Sequence, residues 1–241
     1  MKRTLVLLLI FMLLPALGIT VIAQNAPPAP VAAVPTVTFD VFWEPSTPQQ
    51  VTITVQASGE TRYVSRNPAR AAEKDENGIP SEDYETHFTM SAINREKIFN
   101  LAGQAKYFND DFDYKKHAVA NTGKKTLSYS DANRRFATTY NWSENSAVDQ
   151  LTRLFQGISN VIENGRRIQF LRRFDKLGLE AELKAMEEQA AGHYLSELQV
   201  IAPTLESIAN DPAVLNIARQ RAKRLLVQSA KEQAGYVKPV R

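Results

Sequence analysis

"GKKTLSYSDANRRFATTYNWSENSAVDQLTRLFQGI" (Gly123–Ile158) carries the pattern from which the fold can be read. Leu127 and Tyr129 alternate with polar residues, Asp131-Ala132-Asn133 is a polar turn, and Phe136, Thr138, Tyr140 and Trp142 alternate again. A period of two on both sides of an Asp/Asn turn predicts a β-hairpin, because successive strand side chains point to opposite faces. The period then changes. Val148, Leu151, Leu154, Phe155, Ile158, Val161 and Ile162 recur every three or four residues. That spacing predicts an amphipathic helix, capped by Ser143 or Asn145 and stopped by Asn164-Gly165. Such a stretch closes a sheet over a helix.

Working upstream, Val37, Phe39, Val41 and Trp43 form one strand stripe and Val51, Ile53 and Val55 another. Ser58-Gly59 turns the chain into a return strand at Tyr63-Val64, and Tyr84, Thr86, Phe88 and Met90 alternate once more. Ser91 is an N-cap for a helix in which Ile98, Leu101, Ala102, Ala105 and Phe108 share a face. In condensed form the order is β-β-β-α-β-β-α, an antiparallel or mixed sheet with two helices. From Arg166 onward no strand period returns. One or two helices, interrupted near Gly178, precede two more that are split by Asn210-Asp211-Pro212. Leu198, Ile201, Leu205 and Ile208 line the first of these two; Val214, Ile217, Arg221 or Ala222, and Leu225 line the second. The fold class is therefore α+β, with an all-α C-terminal region of three to four helices. An α+β domain is expected over 37–164, a helical region over 165–233 and a tail over 234–241.

The N-terminus sets the expected compartment. "MKRTLVLLLIFMLLPALGITVIA" (1–23) has a basic start, an apolar run, Pro15, and Val21 and Ala23 before Gln24, the pattern of a secretory signal peptide. The expected location is the periplasm or the extracellular space, with no stable membrane insertion after cleavage. An uncleaved anchor is the alternative, since the apolar run approaches a bilayer-spanning length. "QNAPPAPVAAVPT" (24–36) reads as an extended Pro/Ala linker. The chain of 241 residues is 44% hydrophobic and 23% charged, within the range of globular proteins. Lys2 and Arg3 supply two of its three net positive charges, so the remainder offers no electrostatic case for nucleic acid. Zero cysteines exclude disulfides, thiolate catalysis and cysteine zinc sites.

With that order of elements, residues 37–162 resemble emfourin-type domains, small bacterial domains whose named member inhibits thermolysin-like metalloproteases. The likeness lies in the Gly-turned hairpin "VTITVQASGETRYV", the helix "KIFNLAGQAKYF" ending in aromatics, and the late hairpin leading into "AVDQLTRLFQGI". It is one of layout and hydrophobic pattern; it implies an inhibitor-type protein contact and assigns no site residues. "APTLESIANDPAVLNIARQRAKRLL" is loosely similar to one HEAT-type helical hairpin, with Pro in the first helix and Asp-Pro at the turn.

Few residues carry recognisable chemistry. His87, His117 and His193 fall in a strand, a loop and a helix with no i, i+4 partner, and no GxSxG elbow, P-loop or dinucleotide glycine motif occurs. Asp110, Asp111 and Asp113, and the loop bearing Asp75, Glu76, Glu82, Asp83 and Glu85, are oxygen-rich but lack EF-hand spacing. No catalytic residue, metal ligand or cofactor is assigned. The aromatic set Tyr129, Phe136, Tyr140 and Trp142 admits two readings: core beneath the following helix, or, where it faces outward, a protein-binding anchor rimmed by arginine. The candidate surface is Arg134, Arg135, Tyr140 and Trp142. The expected function is an exported, non-enzymatic protein-binding module of inhibitor or adaptor type. The alternatives are a hydrolase or metal-binding protein using the acidic loops, and a structural protein that self-associates through its C-terminal helices.

Overall fold

The alternating stretches assemble into six antiparallel strands. The computed structural model describes residues 33–68 and 82–234. The signal, most of the linker, the acidic loop around Asp75 and the tail from 235 lie outside the described residues. The strands are β1 (Thr36–Phe42), β2 (Gln50–Gln56), β3 (Glu60–Arg66), β4 (Tyr84–Thr89), β5 (Lys124–Ser130) and β6 (Arg135–Tyr140). They lie in the order β4-β3-β2-β1-β5-β6, with every neighbouring pair antiparallel. Four strands precede the first helix, one more than the condensed order counted. Among the described residues the five α-helices are α1 (Ala92–Gln104), α2 (Ser146–Phe174), α3 (Lys176–Ala191), α4 (Ala202–Ala209) and α5 (Asn216–Gln233). Together they make an α+β fold with a helical C-terminal region, as the periods predicted. None of the described helices is long and apolar enough to cross a membrane.

One face of the sheet is apolar and carries α1 and α2. Val37, Phe39, Ile53, Val55, Tyr63 and Leu127 are all fully or nearly fully buried there. The rings of Phe39 and Phe155 stack with centroids 5.2 Å apart, and each such large side chain contributes roughly 1.5–3 kcal/mol by leaving water. The other face is rich in hydroxyls paired across strands, Thr38 with Thr54 at 3.3 Å and Thr126 with Thr139 at 3.0 Å. Asp40 accepts from Thr52 and Gln50 on that face.

The caps fall where local chemistry places them. Ser91 Oγ accepts from Asn94 N–H at the start of α1. Of the two candidates for α2, Asn145 is the cap, accepting from Ala147 and Val148 N–H, while Ser143 Oγ accepts from Asn145 N–H.

The stop expected at Asn164-Gly165 does not occur: α2 runs unbroken for 29 residues to Phe174. Gly165 serves a close crossing. A Cβ on it would sit 2.4 Å from Ile201 Cγ2, and one on Gly157, two turns earlier, would sit 2.8 Å from Ser196 Oγ. α2 can thus contribute to two cores, the sheet core through Val148 to Ile162 and a helical core through Val161, Ile168 and Leu171. The break comes at Asp175, whose carboxylate caps α3 by accepting from Leu177 and Gly178 N–H. Gly178 lies inside the first turn of α3. In the second helical stripe Val214, Ala222 and Leu225 are buried as expected, while Ala218 takes the inward place expected for Ile217, which is half exposed. Arg221 instead pairs with Glu180 and Glu187 across α3.

One buried carboxylate joins the helical region to the sheet layer. Glu197 is 1% exposed and held in the left-handed backbone region at φ 67°. It accepts from Ser91 N–H at 3.0 Å, Ser91 Oγ at 2.5 Å, the Asn94 amide at 2.5 Å and the Gln199 amide. A carboxylate at the start of α1 also meets the positive end of that helix's dipole.

Candidate functional site

The hairpin turn is built by Asp131. Its Oδ1 accepts from Asn133 and Arg134 N–H at 2.8 and 2.7 Å, and its Oδ2 pairs with the Arg134 guanidinium at 2.6 Å. The Arg134 hydrogen bond and the Asn133 N–H together hold the Asp131 carboxyl down at about 2. Arg134 in turn lies 3.9 Å from the Tyr107 ring centroid and 5.2 Å from that of Tyr129. Tyr107 stands in an unusual place: Lys106, Tyr107 and Phe108 have φ of 51°, 57° and 69°. Three consecutive non-glycine residues in the left-handed region are strained by roughly 1–2 kcal/mol each. Complete burial of Phe108 and the cation–π contact of Tyr107 with Arg134 secure them. Arg134 is therefore committed to holding the hairpin against this turn.

The four candidate residues do not form one patch. Arg135 is exposed beside the turn, at the start of β6. Tyr140 is core: it is 3% exposed, its hydroxyl is 2.6 Å from Thr152 Oγ1, and burial pushes its phenol well up. Trp142 is 43% exposed. It lies seven residues beyond Arg135, about 23 Å along an extended chain, at the opposite end of the hairpin.

At that far end Trp142 has company. The register pairs Val41 with Lys125 and Lys125 with Tyr140, one row across β1, β5 and β6. Trp43 follows the end of β1, Gly123 precedes β5 and Trp142 lies two residues past β6, so all three stand at this same end of the three strands. Trp43 is 39% exposed. Gly123 has φ +92°, and a Cβ on it would lie 2.7 Å from Trp43 Cβ and 3.0 Å from Phe42 O, so only glycine fits between the tryptophans. The Trp142 ring meets Tyr114 edge-on at 4.8 Å, and Tyr114 N–H donates to Trp142 O at 2.9 Å. Neither indole N–H is engaged by another described residue.

Lys125 makes the floor of this end rigid. It is 3% exposed, and its ammonium donates to Thr122 O, Thr122 Oγ1, Gly123 O and Asn141 O at 2.8–3.1 Å. All four acceptors are neutral, and burial lowers the lysine's pKa. Asn141 completes the tie, with its Oδ1 accepting from Thr122 N–H and its N–H donating to Asp113. The segment before β5 and the residues after β6 are thus clamped together behind Trp142.

The titratable groups considered as chemical candidates are engaged elsewhere. His87 is exposed and 3.3 Å from Glu85, which binds Arg62 at 2.6 Å. Asp110 pairs with Lys106, Asp111 with Lys115, and Glu144 with Lys116. His117 lies on the loop beside Tyr114, and His193 follows the end of α3. Among the described residues no group of three His, Asp or Glu side chains is placed to hold a metal ion. A groove of about 560 Å³ between α2 and α4 is lined by Gln169, Arg172, Arg173, Thr204 and Ser207. Within it Arg172 is held by Asp211 at 2.9 Å and by Ser207 at 2.6 Å.

Reading the sequence selected Trp142 and missed Trp43, Gly123, Lys125 and Tyr114. Periodicity does place Trp43 on the same face as Phe39, but it says nothing about which strands become neighbours. No protein-family model matches the chain, and no curated protein matches it.

Proposed function

We propose that this chain is an exported, non-enzymatic protein-binding module whose working surface is the aromatic end of the sheet. The observation that carries the reading is the pair Trp43 and Trp142 at one end of the sheet. Both of the chain's tryptophans stand there, half exposed on a braced floor. Tryptophan is the residue most enriched where binding energy concentrates, and two of them left in water at one end of a rigid sheet favour a contact role over packing. The engagement of the nearby carboxylates in ion pairs and backbone contacts favours binding over catalysis. Export rests on the N-terminal pattern of residues 1–23. An inhibitor, as the emfourin resemblance implies, is one form such a module takes; an adaptor is the other.

The test is affinity capture from envelope and culture fractions with the full chain and with its Trp43→Ala/Trp142→Ala variant, circular dichroism having first matched the two. A partner held by the wild type and lost by the variant is expected. Equal capture by both baits refutes the placement of the surface.

A second reading is favoured by a specific feature of the helical region. Phe174 and Leu177, at the corner between α2 and α3, are 71% and 76% exposed. Leu215 and Ile217 are exposed at the same end, where Lys176 Nζ reaches Ala213 O. Self-association through this apolar end gives a sedimentation coefficient that rises with concentration and ceases to do so in Phe174→Asp/Leu177→Asp. A constant monomer mass removes this reading.

A further inference from the structure

Resting on the binding-module reading, we propose that the free edge of β6 receives an extended segment of a partner protein as an added antiparallel strand, with a carboxylate toward the segment's C-terminal end. Which backbone groups of β6 are free follows from the bonds at its two ends. At the turn Asp131 N–H donates to Arg134 O, and the register then runs from Ser130 with Arg135 to Lys125 with Tyr140. Bonded and non-bonded pairs alternate along an antiparallel ladder. Phe136, Thr138 and Tyr140 therefore turn their N–H and C=O groups to β5, and Arg135, Ala137 and Thr139 turn theirs outward. The far end has the same phase, because Asn141 N–H, the next outward donor, reaches the Asp113 carboxylate at 2.9 Å. β6 is the last strand of the sheet, and no other described residue bonds the outward groups of Arg135, Ala137 and Thr139. Three N–H and three C=O groups in strand geometry are complementary to the backbone of another extended chain.

The opposite edge is guarded and this one is not. Counting from Met90 N–H to Gly59 O, the outward residues of β4 are Glu85, His87 and Thr89, and Glu85 is tied to Arg62 and His87. Charged side chains are a common device against edge pairing. On β6 only Arg135 is charged, at the first position; Ala137 and Thr139 are small, neutral and exposed. The open span is short, because Asp113 holds the edge at Asn141. A second copy paired antiparallel about Ala137 would bring its own Asn133 to the place that Asp113 occupies, whereas a short segment ends before it. Asn141 is followed by Trp142, so the edge continues into the tryptophan end. Side-chain chemistry then sets the segment. Tyr140 belongs to the core face, so Phe136 and Thr138 share that face and ask for apolar neighbours, while Arg135, Ala137 and Thr139 lie on the open face. Arg135 has no carboxylate partner among the described residues; Asp131 is taken by Arg134, Asp110 by Lys106 and Asp111 by Lys115. The hairpin's other exposed cation, Lys124, lies at the far end of β5. Every pairing in the sheet is antiparallel, and parallel pairing is slightly less stable per residue. In an antiparallel segment the residue facing Arg135 comes last, which puts the carboxylate at the C-terminal end.

The test reads the backbone directly. The full chain is titrated with acetyl-Thr-Val-Thr-Val-Glu-amide while the amide resonances of Arg135, Ala137 and Thr139 are followed. Two analogues carry a single N-methyl group, one on the central threonine, whose N–H points at Ala137, the other on the following valine, whose N–H points away. Saturable shifts at the three amides are expected, with binding at least about tenfold weaker for the threonine-methylated analogue and nearly unchanged for the valine-methylated one. Equal weakening by both methyl groups, or no binding of the parent peptide, overturns the proposal. On the protein side, Ala137→Pro removes one outward donor and leaves the ladder to β5 intact, so circular dichroism should hold while peptide binding is lost. Should that variant unfold, the two N-methyl analogues, measured on the wild type, decide alone. Capture from envelope and culture fractions separates this proposal from the reading beneath it. A partner lost by Ala137→Pro and by Trp43→Ala/Trp142→Ala alike is expected. A partner lost only by the tryptophan variant sinks the added strand and leaves the surface standing; one held by both variants sinks both. A wild-type dimer that Ala137→Pro converts to monomer also overturns the proposal, since a second copy then fills the edge.

Discussion

Glu197→Ala should loosen the helical region from the sheet layer, and the size of the effect follows from what the carboxylate holds. Four donors lose a charged acceptor: Ser91 N–H, the Ser91 hydroxyl, the Asn94 amide and the Gln199 amide. Hydrogen bonds to a charged group are worth about 1.5–3 kcal/mol each. The three residues that carry them are half-buried rather than sealed, so water replaces much of the loss, and the expected cost is about 3 kcal/mol. The backbone supplies an internal control. At φ 67° a non-glycine residue is strained by about 1 kcal/mol, so Glu197→Gly should be about 1 kcal/mol more stable than Glu197→Ala although it removes more atoms. The assay is urea unfolding followed by two probes. Tryptophan emission reports the sheet, where both tryptophans lie, and far-ultraviolet circular dichroism is dominated by the helices. The two curves should coincide in the wild type and separate in the alanine variant, with the helical probe shifting first. A change below about 0.5 kcal/mol, or a glycine variant less stable than the alanine variant, would show that the carboxylate does not join the layers.

Two further substitutions probe the sheet itself. Gly123→Ala forces a Cβ to within 2.7 Å of Trp43 Cβ at φ +92°, so it should cost about 2 kcal/mol and alter tryptophan emission in the folded state; an unchanged midpoint and spectrum would contradict the close contact. Asp131→Asn tests the hairpin turn by pH. The folded-state pKa of Asp131, about 2, lies below its ordinary 3.8, so its stabilising contribution is complete above about pH 4 and lost as pH falls through about 2. The wild-type advantage over the variant in urea midpoint should therefore shrink between about pH 4 and pH 2, and a gap that persists at about pH 2 rules out this carboxylate as its source.

The features legible in the sequence are those whose cause is local. Asp131 makes its turn with its own neighbours, and Asn145 and Ser91 cap helices that begin within three residues of them. The buried stripe of α2 from Val148 to Ile162 is set by the helical period alone. Failures begin where a residue answers to something distant in the chain. Asn164-Gly165 has the composition of a helix end, yet Gly165 is present because Ile201 crosses there, and Asn164 donates across to Gln189. Ile217 occupies an apolar position in the predicted stripe of α5, but Ala218 and Ala222 face inward there, and Arg221 pairs with Glu180 and Glu187 of α3 beside them.

The same distinction explains why the candidate surface was only half visible. Arg134 and Tyr140 belong to an aromatic, arginine-bearing hairpin of the composition found at binding sites. Their partners, Tyr107 for one and Thr152 for the other, come from the turn after α1 and from α2 and draw both into the architecture. Trp142 escapes that fate because β6 ends before it and no helix reaches over it, and Trp43 escapes because β1 ends at Phe42. What brings the two tryptophans to one end of the sheet is the insertion of β5 between β1 and β6, a pairing of strands more than eighty residues apart in the chain. Gly123 then lets Trp43 pack closely against the start of β5. A glycine ahead of a lysine pair reads from sequence as an ordinary loop end; only with Trp43 packed against it does it become a position that no side chain can share.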